Sequence, residues 1–182
     1  MIAYKAFDKG LICRNYRFVK GLNITEKANC AANGFHCAEN PLDCLSYYPY
    51  IDKSEYYIVD ARGDIDEDGE DSKISCTELF IIKKLSQDEL FLHGLAYIAD
   101  HPKLKWSPQV KKEQAEACNG YTVVRGPDPI AQGKSGDILA FAKEDITNGT
   151  ISQISISRVD GVKILSGVWY DADFTERQAV LI

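Results

Sequence analysis

The sequence predicts an α+β chain. An N-terminal mixed strand and helix module spans residues 1–100, a helical connector follows over 101–120, and a C-terminal antiparallel β meander fills 121–182. At 182 residues the three parts are small enough to form one compact domain. Three observations carry this reading. Short runs of alternating apolar residues occur at both ends of the chain. One helix is well punctuated near the middle. Two turn signals, Asn148-Gly149 and Asp160-Gly161, divide the last third into strands.

Ile2 to Phe7 reads as a first strand, with Gly10 opening a turn, and Cys13 to Val19 alternates as a second. Asn40-Pro41 is a helix entry: Asn caps, Pro sits at the first helical position, and Leu42, Leu45 and Tyr48 follow at helical spacing until Pro49. Glu55 to Ala61 and Ile74 to Leu85 are strands joined by the polar stretch Arg62 to Lys73. Ser86 opens a helix whose first turn carries Asp88 and Glu89, and His101-Pro102 closes it. The charged run Gln109 to Cys118 is expected to be a second helix stopped by Asn119-Gly120. Strands follow in YTVV, DILAFAK, ISQISISRV and VKILSGVWY.

Composition narrows the function classes. Twenty-one basic and 27 acidic residues leave a formal charge of -6, with the basic residues scattered, which argues against direct nucleic-acid binding. No run of about 18 apolar residues is present, so no membrane helix is expected. The first residues lack the basic start and apolar stretch of an export signal, and the chain is expected in the cytoplasm. In that setting the six cysteines read as free thiols. The recurrence of Cys30, Cys37 and Cys44 every seven residues is broken by Gly34 and Pro41 and carries no helical face.

The densest signal is DARGDIDEDGED, Asp60 to Asp71. Seven of its twelve residues are acidic and one is basic, so its net charge equals that of the whole chain. Like charges this close resist burial, and the segment is expected to stand in solvent as a loop or hairpin tip. Such a tip can serve solubility alone. It can also imitate phosphates in a basic protein groove, because carboxylates match the fork of arginine. The candidate partner-binding residues are Asp64, Asp66, Glu67, Asp68, Glu70 and Asp71. Asp64, Asp66 and Asp68 with Gly69 also match the opening of a calcium loop, but Ser75 stands where the bidentate Glu belongs, leaving only a weak metal candidate.

Catalytic signals are thin, and neither catalytic residues nor a cofactor are expected. His36, His93 and His101 form no zinc pattern, and a pairing of His36 with one of six cysteines is not readable from spacing. The glycines at 126, 133 and 136 do not make a phosphate loop.

Residues 4–18 (YKAFDKGLICRNYRF), 34–49 (GFHCAENPLDCLSYYP) and 71–76 (DSKISC) resemble an uncharacterised module of phage and prophage proteins. Gly63-Asp64-Ile65, and Val159-Asp160-Gly161 with Trp169-Tyr170, extend the resemblance, which is patchy over 86–135. Cys37-Ala38 inverts the order usual in that module. Within the group the chain is similar to an anti-CRISPR inhibitor of type II-A effector nucleases from phages of gut Clostridia. That resemblance implies a stoichiometric inhibitor that binds the nuclease with its guide RNA and obstructs target DNA, in the cytoplasm of a bacterial host. A fainter resemblance, through Tyr4-Lys5 and Gly34-Phe35-His36 with Tyr47, is to ADP-ribosyltransferase folds; it implies a catalytic Glu, for which Glu78 is the candidate. A phage structural or accessory module is the remaining alternative.

Overall fold

The computed structural model describes residues 1–30, 32–67, 69 and 71–179, and among them the chain is mostly β with few helical residues. It divides into two units, Met1–Leu90 and Phe91–Ile182.

The first unit contains β1 (Ile2–Asp8), β2 (Ile12–Cys13), β3 (Tyr16–Arg17), β4 (Gly21–Ile24), β5 (Phe35–Ala38), a 3₁₀ helix (Pro41–Ser46), β6 (Ser54–Glu67) and β7 (Lys73–Leu85). β1 lies antiparallel to β6 over its whole length, from Ile2↔Asp60 to Asp8↔Ser54. β6 pairs with β7, β7 with β5 from Phe35↔Cys76 to Ala38↔Lys73, and β5 returns to β1 through Tyr4↔Ala38. Four strands therefore close a ring of hydrogen bonds, which removes their open edges. The core cluster includes Ala3, Phe7, Phe35, Cys37, Tyr57, Val59, Ile74 and Cys76. Alternation along β1 puts Lys5 in the same row as Ala3 and Phe7, and Lys5 is only 5% exposed.

Local chemistry explains the joints. The strand expected over Cys13 to Val19 breaks at Arg14 and Asn15, both with positive φ (47° and 67°), as a tight two-residue hairpin turn requires. Asn40 caps the 3₁₀ helix, its Oδ1 accepting from Leu42 N at 3.0 Å, and Leu42 and Leu45 are fully buried. β6 and β7 run further toward the acidic stretch than the sequence reading placed them. A bulge between Arg62 and Ile65 accommodates the extra residues; there Asp64 N donates to Thr77 Oγ1 at 2.9 Å.

Gly34 enters β5 with φ +88°, and an added Cβ would stand 2.2 Å from Ser75 Oγ and 2.9 Å from Ala28 Cα. Gly34→Ala combines left-handed strain, roughly 1–2 kcal/mol, with overpacking of roughly 1–3 kcal/mol. The expected loss is about 2–4 kcal/mol, read as a lower urea midpoint; a variant as stable as wild type contradicts the assigned backbone conformation.

The helix α1 (Gln87–Asp100) spans the boundary between the units and starts after Ser86 as the sequence foretold; its start forms a capping box. Ser86 Oγ accepts from Glu89 N at 3.1 Å, while Glu89 Oε2 accepts from Ser86 N at 2.8 Å. Leu90, Phe91, Leu95 and Ile98 are its buried side.

The second unit departs from the expected layout. Val110–Glu116 is a strand, β8, so the second helix and with it the helical connector are corrected. Its residues favour helix intrinsically, but parallel pairing with β9 (Tyr121–Gln132) overrides that preference, with Glu113 at φ 62° beside a register shift. The C-terminal sheet is mixed rather than an antiparallel meander. β10 (Ile138–Glu144) runs parallel to the first half of β9; the second half of β9 runs on to Gln132, paired with β8, before residues 133–137 bring the chain back. β11 (Ile151–Arg158) returns antiparallel to β10 through the Asn148-Gly149 turn, Gly149 having φ 70°. β12 (Trp169–Asp171) and β13 (Glu176–Arg177) complete the sheet, and the strand expected over VKILSGVWY is confined to β12. The five β10 residues Ile138–Ala142 are all buried, as suits a central strand. No helix among the described residues is long and apolar enough to cross a membrane.

Candidate functional site

The acidic stretch stands where charge repulsion puts it. Asp64, Asp66 and Glu67 occupy the exposed end of β6 and Asp71 precedes β7, so they crown a two-stranded ribbon; Asp68 and Glu70 lie outside the described residues. Two carboxylates are oriented by their own chain. Asp66 Oδ2 accepts from Cys30 N at 2.8 Å, and Asp71 Oδ1 accepts from Lys73 N at 2.8 Å. Amides fix direction without cancelling charge. Among the described residues the ion pairs of this unit engage Asp60, Glu55 and Glu89, not the ribbon tip. Asp64 and Asp66 lie on a strand rather than in a wrapped loop, and no group of three metal-ligating side chains comes together among the described residues.

The sequence reading missed a cavity of about 510 Å³ in the first unit. It opens among β1, β5, the β2–β3 turn, residues 24, 25, 30 and 32–34, and the 3₁₀ helix. Lys5 is its most buried cation. Its Nζ donates to His36 O at 2.6 Å, lies 3.8 Å from Cys13 Sγ, and sits 5.2 and 5.1 Å from the Phe7 and Phe18 ring centroids. Arg14 and Lys73 also line the space, and Asp43 is the one lining carboxylate among the described residues. Tyr16, Phe18 and Phe35 form a packed aromatic wall, with centroids 4.7–5.5 Å apart.

Two stretches singled out in the sequence meet here. Ser72 donates through N and Oγ to Asp43 Oδ2, at 3.3 and 2.7 Å, and Ser72 Oγ accepts from Asn40 N at 2.9 Å. The Glu39-Asn40-Pro41-Leu42-Asp43 block thus anchors the 3₁₀ helix to the start of β7. Asp43 Oδ1 has no hydrogen-bond partner among the described residues.

The cavity is not poised for thiol chemistry. All six cysteines are free, and Cys30, Cys37 and Cys44 line this one space although no helix aligns them. Burial pushes the Cys44 thiol up to about 12 despite the nearby Lys5 charge. A hydrogen bond to Cys76, reinforced by burial, raises Cys37, and the same bond lowers Cys76. His36 donates from Nε2 to the Cys30 carbonyl at 2.8 Å rather than engaging a thiol. Burial holds its pKa below the usual histidine value. Glu78, which a transferase would need, lies on β7 opposite Arg62 and Ile24 and is not among the residues lining the cavity.

Fold and site together define a mostly β protein whose first unit is a closed ring of strands holding a cation-lined cavity and carrying an acidic ribbon. Residues 1–93 match the model of DUF7666, a domain of unknown function, and the chain belongs to that family. No curated protein matches the chain, and no solved structure matches it. The matched segment contains the acidic ribbon and every residue that lines the cavity.

Proposed function

We propose that this protein acts by stoichiometric binding, its acidic ribbon docking in a basic groove of a nucleic-acid-handling protein. The expected partner is a type II CRISPR effector nuclease loaded with guide RNA, as the resemblance to anti-CRISPR inhibitors implies. Such nucleases read a short duplex motif with arginines and hold nucleic acid in positively charged channels. One observation supports the reading above the others: Asp64, Asp66, Glu67 and Asp71 sit at the exposed end of paired strands, with Asp66 and Asp71 held by backbone amides. Carboxylates already ordered lose less freedom on docking than those of a loose loop.

The test is a binding titration of the full chain against a purified effector–guide complex. Neutralising Asp66, Glu67, Asp68, Glu70 and Asp71 together is expected to weaken binding by about tenfold or more at low salt. Wild-type affinity is expected to fall as salt rises, since the screening length shortens to ~10 Å near 0.1 M. Unchanged affinity in the five-fold variant removes the ribbon from the interface, and absence of any binding removes the proposed partner. Nuclease inhibition at sub-stoichiometric ratio, dependent on NAD and leaving a mass shift on the target, would establish the transferase alternative instead.

A further inference from the structure

The cavity of the first unit adjoins the ribbon, since the lining residues Cys30 and Lys73 donate their backbone N–H to Asp66 and Asp71. We propose that it binds a small phosphomonoester carrying a planar ring, the phosphate facing Lys5, Arg14 and Lys73 and the ring lying against the aromatic wall.

The charge of the lining leads to this ligand. Lys5 is buried, yet among the described residues its contacts are a carbonyl, a thiol and two ring faces, none of which carries a full negative charge. A buried cation held without a counter-ion is costly, and an anionic ligand relieves that cost. Arg14 stands on the tight turn between β2 and β3, and Lys73 opens β7, so cations reach the space from three separate elements. Against them, among the described residues, the lining holds one carboxylate, Asp43, whose Oδ2 accepts from Ser72 while its Oδ1 has no partner. In a chain of formal charge -6 this local excess of positive charge stands out. A phosphomonoester, at about -1.5 to -2 near neutral pH, matches the excess better than a single carboxylate does.

The apolar part of the lining leads to the ring. Tyr16 packs on Phe18 and Phe35 yet stays 47% exposed, which leaves a face for a stacking partner. Tyr47, 52% exposed, borders the opening with the Lys73 ammonium 5.7 Å from its ring centroid. The cavity volume falls within the usual range for small-molecule sites.

Calorimetric titration of the full chain with phenyl phosphate and with adenosine 5′-monophosphate tests the proposal. Phenol, adenosine and inorganic phosphate serve as probes lacking one half of the ligand. Both phosphomonoesters are expected to bind at one site, about tenfold or more tighter than any of these three, with amide shifts in β1 and β5. Lys5→Met is expected to abolish the preference for phosphate. Because Lys5 is buried and that variant can misfold, Arg14→Gln on the exposed turn is the second arm, with an expected loss of about tenfold. The proposal is overturned if neither phosphomonoester binds saturably, or if adenosine or inorganic phosphate binds as well as the nucleotide. It is likewise overturned if Arg14→Gln combined with Lys73→Gln binds as wild type does.

Discussion

Replacing Phe7 by alanine is expected to destabilise the first unit by about 3–5 kcal/mol, the range for deleting a buried phenyl ring. Phe7 is fully buried in the middle strand of the β2–β1–β6 side of the ring. It meets Phe18 and Tyr57 edge to face, with centroids 5.1 and 5.5 Å away. Deletion forfeits the transfer energy of the ring, opens a hole between three strands, and takes away one of the two aromatic faces that receive the Lys5 ammonium. The neighbours are held by strand pairing, so the hole cannot collapse freely. Hydrogen exchange at the β1 and β6 amides reads the effect directly, because these strands pair along their whole length. Protection reduced by less than about tenfold, near 1.4 kcal/mol, would show that Phe7 is not central to this core.

In the second unit, Arg125→Ala is expected to cost about 2–4 kcal/mol, below the top of the range for a broken buried ion pair because Glu144 keeps some contact with water. Arg125 is 4% exposed on β9. Its Nε pairs with Glu144 Oε1 at 2.7 Å, a second guanidinium nitrogen donates to Pro102 O at 2.7 Å, and the group lies 4.5 Å from the Trp106 ring centroid. One planar fork thus ties β9, β10 and the segment after α1. Lysine offers a single point charge and cannot meet these directions together, so Arg125→Lys is expected to recover only part of the loss. Urea midpoints for the two variants, at unchanged slope, decide the matter; equal stability of Arg125→Ala and wild type would mean the fork holds nothing.

Much of the fold was legible where a local rule operates alone. Ser86 could be read as a helix start with acids in the first turn, Asn40-Pro41 as a helix entry, and Ile74 to Leu85 as a strand, because each depends on neighbours close in sequence. The 110–116 segment misled for the opposite reason: its helix-favouring residues are overruled by β9, a partner that spacing does not reveal. The run of β9 on through Pro127 and Pro129 to Gln132, with the return over residues 133–137, likewise turned an expected antiparallel neighbour into a parallel one.

The acidic ribbon and the cavity divide in the same way. The exposure of Asp64, Asp66 and Glu67 follows from repulsion among charges adjacent in sequence, and the chain's composition alone requires it. The cavity does not follow from composition. A lysine between Ala3 and Phe7 reads as a solvent residue until β5 pairs with β1 and closes the ring around it. His36, Asp43 and Lys73 are likewise ordinary residues in sequence, and they share a cavity only through contacts spanning tens of residues. Sequence by itself determined which segments must face water, because solvation and repulsion act locally. Tertiary structure alone decided which polar groups are withdrawn from water together, because burial depends on the closure of distant strands.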